Sequence, residues 1–188
     1  MSKEIKVITV GDASVGKTSL LHRIVNDYPM ENQDPTVGTD VSHLVLEDYK
    51  VSLWDTAGQE KFRSLVKLYI RGCHIALLVY DVSSKSSFDS MEHWVEFVLA
   101  DLSEEQIIFI SNKCDLPPEN HAVQTEHEIN LARKYNTTII RSSAIDGRGV
   151  DEIKKTIVSK MNMNMINPPK PKPLPDLNKK VEEEKCCK

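Results

Sequence analysis

The sequence predicts an α/β fold built on a mostly parallel sheet, and three observations carry that expectation. Short apolar runs alternate with helical stretches along the chain, the pattern of strands laid parallel with helices crossing between them. Most of those runs are continuously apolar, as strands covered on both faces are. The 188 residues, 40% hydrophobic and 28% charged, make one domain of ordinary composition, large enough for a buried core without disulfides or structural metal.

Six strands are expected, at residues 5–10, 41–46, 50–54, 75–82, 107–111 and 138–141. Only Glu47, Asp48 and Tyr49 separate the second from the third, which predicts a hairpin and one antiparallel strand at a sheet edge. Apolar residues at helical spacing follow the first strand (Leu20, Leu21, Ile24, Val25) and recur at Phe88, Met91, Val95, Val98 and Leu99, and at Val150, Ile153, Ile157, Val158 and Met161. Core packing is sufficient reason for each of these stripes. Thr125 and Glu128 have the spacing of a capping box, which predicts a further helix opening at Thr125 and closing before Tyr135. Beyond Ile166, five prolines between Pro168 and Pro175 forbid continuation of the last helix. Residues 1–166 therefore read as the folded domain and 167–188 as a Pro/Lys-rich tail.

A net charge of -4 gives no ground for a nucleic-acid partner. The first six residues have no apolar signal core and no stretch reaches a membrane span, so synthesis in the cytosol and reduced cysteines are expected. Cys73 and Cys114 lie among apolar residues and read as small core or site-wall residues, whereas Cys186 and Cys187 are adjacent and near the chain end. The histidines, His121 and His127 among them, have no companions at zinc-ligand spacing.

Three motifs carry chemistry. Gly11 to Thr18 reads GDASVGKT directly after the first strand and before a helix, the phosphate-loop pattern in its required context. Its backbone N–H groups converge on phosphate oxygens at a helix N-terminus. Asp12, Ala13, Ser14, Val15, Gly16, Lys17, Thr18 and the following Ser19 are assigned to the nucleotide, with Lys17 a point charge for the outer phosphates and Thr18 a hydroxyl for magnesium. At the end of the third strand stands Trp54-Asp55-Thr56-Ala57-Gly58-Gln59. Asp55 is placed to reach the magnesium shell and Gly58 to offer its N–H to a γ-phosphate. Gln59 is placed to hold a water for in-line attack, although alone it reads as an ordinary loop glutamine. After the fifth strand comes Asn112-Lys113-Cys114-Asp115. One carboxylate accepts both N1–H and the 2-amino group of guanine, a pair that adenine lacks, so Asp115 selects guanine. Ser142-Ser143-Ala144, after the sixth strand, brings backbone N–H groups to the guanine O6.

With these motifs in this order, the chain resembles small GTPases of the Ras superfamily, and within it the Rab family, over roughly residues 4 to 165. WDTAGQEKFRSL, with Trp54 and Phe62-Arg63, is Rab-like rather than Ras-like. The resemblance implies a P-loop NTPase G domain with a six-stranded sheet flanked by five helices, binding GTP or GDP with Mg2+. It implies that Thr36 closes over magnesium in the triphosphate state, so that Lys17, Thr36 and Gln59 are the residues of catalysis and Thr18, Thr36 and Asp55 those of the metal. It also carries Tyr28 over as the aromatic neighbour of guanine. The paired Cys186-Cys187 resembles the doubly lipidated ends of Rabs, and two lipid chains give stable membrane attachment where one does not.

The departures are specific. Thr36 and Asp55 are 19 residues apart, which implies a shortened hairpin. Val37-Gly38-Thr39-Asp40-Val41 replaces the usual Ile-Gly-Val-Asp-Phe, so the effector surface diverges. Ile145 stands where lysine is usual, and Ala13 where Ras proteins have glycine. The resemblance further implies a slow switch in membrane traffic on the cytoplasmic face of an intracellular membrane, cycling with the cytosol. Its partners would be an exchange factor, an activating protein, a GDP-dissociation inhibitor or prenylation escort, and effectors at residues 30–45 and 56–72. A GTP-binding scaffold without hydrolysis and a phosphate-loop nucleotide kinase are the alternatives, the kinase disfavoured by Asp115 and the segment from Asp55 to Gln59.

Overall fold

The computed structural model of the chain describes residues 3–31, 36, 38–58 and 63–166. Gln59, Cys186 and Cys187 lie outside these, as does most of the first switch before Thr36. Six strands, β1 (Lys3–Val10), β2 (Thr39–Leu46), β3 (Tyr49–Thr56), β4 (Ile75–Asp81), β5 (Ile107–Asn112) and β6 (Ile139–Arg141), form one sheet in the order β2-β3-β1-β4-β5-β6. All neighbours are parallel except β2 and β3, which pair antiparallel from Thr39 opposite Thr56 to Leu46 opposite Tyr49. The hairpin turn is one residue tighter than the sequence predicts. Tyr49 joins β3, leaving Glu47 and Asp48 to turn the chain, with Glu47 in the left-handed region at φ 50.

The apolar strands are covered on both faces, and successive residues divide between two cores. Ile5, Val7, Ile75, Leu77, Val79, Ile108 and Ile110 pack with α1 (Lys17–Asn26) and α6 (Val150–Ile166). Their neighbours Ile8, Val10, Ala76, Leu78, Ile107 and Phe109 pack on the other face with α2 (Arg63–Ile70), α4 (Met91–Leu99) and α5 (Thr125–Lys134). Period-two alternation in a strand produces this division, and because both faces are apolar the sequence registers it only as a continuous run. The predicted helix at 88–99 forms in two pieces, α3 (Lys85–Asp89) and α4, parted by Ser90 alone. Ser90 itself has helical φ -70 and ψ -14, so α3 and α4 make one bent helix and five helices flank the sheet. Cys73 and Cys114 are both buried.

The capping box at Thr125 and Glu128 does not form. Gln124 is the cap of α5 and its side chain makes no capping bond. Glu128 turns inward instead and is 4% exposed, accepting from the Tyr80 hydroxyl at 2.7 Å and from Arg141 at 2.5 and 3.1 Å. Thr125 accepts from Arg141 at 2.9 Å. A buried carboxylate demands partners across β4 and β6, and these outbid a surface cap.

The chain runs from β1 to β3 on one side of the sheet and then to β4 on the other, so the topology reverses at β1. In open α/β sheets, ligands bind outside the carboxyl ends of the strands at such a point. The loops after β1, β3, β4, β5 and β6 all end there.

Candidate functional site

The turn between β1 and α1 is built by close approach. A Cβ on Gly16, at φ 90, would lie 2.5 Å from the Asn112 amide, and one on Gly58 would lie 2.4 Å from both the Asp12 carbonyl and Lys17 Nζ. The backbone of the second motif therefore sits directly on the phosphate loop, a contact only glycine permits. Lys17 is 5% exposed and donates to the carbonyls of Gly11 at 3.0 Å and Asp12 at 2.7 Å. Burial lowers its pKa to about 8, against the pull of Asp55 and Asp12.

Thr18, Thr36 and Asp55 come together from three elements. Thr18 Oγ1 lies 2.6 Å from Asp55 Oδ2 and 2.6 Å from Thr36 Oγ1, and the Thr36 hydroxyl donates to Asp55 Oδ2 at 3.2 Å. Asp55 Oδ1 is buried with no hydrogen-bond partner among the described residues. Desolvation raises the Asp55 pKa, opposed by Thr18 and Lys17. Two hydroxyls and one carboxylate, with one carboxylate oxygen unsatisfied, are the hard-oxygen set that suits Mg2+, which takes one or two protein ligands and completes its shell with phosphate and water. The residues fit the ion that the sequence implies.

The base end is cross-braced. The Asn112 amide, 1% exposed, donates to the Val15 carbonyl at 2.9 Å and accepts from Ser142 Oγ at 3.2 Å. Lys113 donates to the Ser14 carbonyl at 2.9 Å and pairs with Asp81 at 2.6 Å. Burial opposes ionisation of Asp81, but bonds from Lys113 and Ser83 outweigh it and hold the carboxyl below the ordinary 3.8. Between these loops is a pocket of about 280 Å³ lined by Ser14, Gly16, Ser19, Asn112, Lys113, Asp115, Leu116, Ala144 and Ile145. Asp115 is exposed at its rim. Of the three N–H groups expected at the guanine O6, that of Ser142 is spent on the Ser111 carbonyl at 2.8 Å and that of Ser143 on the Arg148 carbonyl at 3.0 Å. Ala144 keeps its own unspent among the described residues. Tyr28 is 59% exposed, meets the His22 ring edge-on at 5.1 Å and is not among the residues lining the pocket. Ala13 is exposed beside the phosphate loop.

Two site residues went unread in the sequence. Trp94 is not in the apolar stripe read at Phe88, Met91, Val95, Val98 and Leu99, yet its indole N–H donates to Asp12 Oδ1 at 2.8 Å and ties α4 to the phosphate loop. Asp81 stood at a strand's carboxyl end, the one clue that would have found it.

Together, the fold and the site have the form of a P-loop nucleotide-binding protein, with Thr18, Thr36 and Asp55 gathered at one end of it. The chain matches the family model for the Ras family over residues 6–163. Among similar proteins, the Ras-related protein Rab-18 of Caenorhabditis elegans is 36% identical over 163 residues, 84% of this chain and 79% of the relative. The Ras-related protein Rab-19 of Bos taurus is 36% identical over 154 residues, 79% and 70% respectively. The Ras-related protein RIC1 of Oryza sativa subsp. japonica is 33% identical over 169 residues, 87% and 83%. The chain belongs to the Ras family of small GTPases, in its Rab branch.

Proposed function

We propose that residues 1–166 form a Rab-type switch that binds GTP, hydrolyses it slowly and recruits effectors in membrane traffic. Residues 167–188 would hold it, through lipidated Cys186 and Cys187, on the cytoplasmic face of an intracellular membrane, from which it cycles to the cytosol. The observation that carries the switch is the Thr36 hydroxyl, 2.6 Å from Thr18 and 3.2 Å from Asp55. A residue of the first switch that shares the metal donors responds to whatever occupies them.

In this reading the Asp115 carboxylate and the Ala144 N–H orient guanine, while the loop N–H groups and Lys17 hold the phosphates. Thr18, Thr36 and Asp55 would hold magnesium, which when bound neutralises charge developing on the phosphate oxygens. Gln59 would orient water for in-line attack. With no arginine finger identified in the chain, hydrolysis is expected to need an activating protein, and exchange of GDP an exchange factor. A pocket of about 470 Å³ on the exposed face of β2 and β3, lined by Val41, Val45 and Trp54 among others, supports effector docking. There Val45 is 69% exposed.

Two measurements test the reading. Nucleotide released by denaturing the purified protein should be GDP or GTP, and adenine nucleotides would overturn guanine selectivity. Single-turnover GTP hydrolysis should fall about tenfold or more in Gln59→Leu, and with an activating protein present it should rise in Ala13→Gly, where a β-carbon no longer crowds the arginine that protein supplies. Equal rates in wild type and Gln59→Leu would leave a GTP-binding scaffold. In cells, a tagged chain with both Cys186→Ser and Cys187→Ser should leave the membrane.

A further inference from the structure

The two groups that read the base come from different strands: Asp115 follows β5 and Ala144 follows β6. Reading N1–H and the 2-amino group from one loop and the adjacent O6 from another requires their separation to be held to a fraction of an ångström. Arg148 spans the gap. Its Nη1 donates to the Cys114 carbonyl at 2.7 Å, and that carbonyl lies in the same planar peptide unit as the Asp115 N–H. Its Nη2 pairs with one Asp146 oxygen at 2.9 Å, while its backbone N–H donates to the other at 2.9 Å. Its own carbonyl accepts from Ser143 N–H at 3.0 Å. The Ser143 hydroxyl then accepts from the N–H groups of Ile145 and Asp146, each at 3.1 Å, closing the loop around Ala144.

This side chain is not a core filler, since 57% of it is exposed. Nor is Asp146 a neutral partner. The Arg148 backbone N–H holds its carboxyl below the ordinary range, so the anion persists at neutral pH and keeps the guanidinium in place. A guanidinium whose fork is divided between a carbonyl on one loop and a carboxylate on the other fixes direction as well as distance.

We infer that Arg148 is a positioning residue for guanine selectivity: its guanidinium sets the Cys114–Asp115 peptide against the Ser143–Asp146 loop, aligning the Asp115 carboxylate with the Ala144 N–H. The inference rests on the pocket being the guanine site.

The test compares GDP with inosine diphosphate, which lacks only the 2-amino group that Asp115 would accept. Dissociation of each is measured from the full chain, with magnesium present. In Arg148→Ala, GDP should leave about 10-fold faster and inosine diphosphate about 3-fold faster, narrowing the preference about threefold, as expected for weakening one charge-assisted contact more than the rest. Arg148→Lys, which keeps the charge but lacks the planar fork that reaches both acceptors, should restore part of the preference. Equal acceleration of both nucleotides, or none, overturns the inference, because a merely loosened loop moves both rates together. If Arg148→Ala does not fold, Asp146→Asn releases the guanidinium and the same ratio decides. A wild-type chain that holds GDP no better than ADP instead overturns the guanine reading itself.

Discussion

The two ends of the proposed nucleotide site are built in opposite ways. At the base end, each brace is a bond between protein groups that a ligand has no need to break. Asn112 holds Val15, Lys113 holds Ser14 and Asp81, and Arg148 holds Cys114. At the phosphate end the bonds are among the ligand-binding groups themselves. Lys17 is spent on two neutral carbonyls, Thr18 and Thr36 on one oxygen of Asp55, and the other oxygen of Asp55 has no partner among the described residues. A preformed base pocket confers selectivity at little cost in ordering. A phosphate end whose groups must exchange partners is instead sensitive to what is bound, and that sensitivity is what a switch requires.

The comparison breaks first at Asp55. Asp55→Ala should accelerate GDP release on the order of 100-fold with magnesium present, the weight of one or two charge-assisted contacts. Chelating magnesium should speed release from the wild type and add little in the variant. A variant that still responds fully to chelator would remove Asp55 from the metal set. Asn112→Ala attacks the base end, where loss of a buried amide leaves the Val15 carbonyl and Ser142 unsatisfied. The cost should be about 2 kcal/mol, a fall of several degrees in Tm, with faster release of GDP whether or not magnesium is chelated. Release that depends on chelation as it does in the wild type, at an unchanged basal rate, would contradict the division between the two ends.

The smallest effect concerns Asp81. Its native pKa lies below the ordinary 3.8, so the folded state binds fewer protons than the unfolded state in the interval between the two. The stability it contributes is present above about pH 4 and is lost as pH falls through 3.8 toward the native value. Urea unfolding followed from pH 5 to pH 3 should show a shallower loss in Asp81→Asn than in wild type. Superimposable curves would mean that the pair with Lys113 contributes nothing to folding.

Legibility differed between local and long-range features. The glycine turn of residues 11–18, the strand ends at Asp55 and Asn112, and Asp115 as the carboxylate proposed to read guanine were readable because each motif is contiguous and its chemistry follows from its own residues. The capping box at Thr125 and Glu128 misled for the same reason. The spacing was right, but Tyr80 and Arg141, 48 residues before and 13 after Glu128, offered a buried carboxylate better partners than a helix terminus. Trp94 carried no signal as a ligand of Asp12, since an indole at a core position of an amphipathic helix is already accounted for by burial.

By itself, then, the sequence determined the class of fold, the order of the strands along the chain and the identity of the nucleotide chemistry, because apolar runs, glycine turns and strand-end motifs act through neighbours in the chain. Only the tertiary structure decided how those pieces are held. The reversal at β1 brings five loops to one edge, Trp94 and Asp81 anchor the site from elements read as core, and Arg148 joins two loops whose spacing no local pattern encodes. Hydrogen bonds between residues remote in sequence depend on where the core places them, and that placement exists only once the two faces of the sheet are packed.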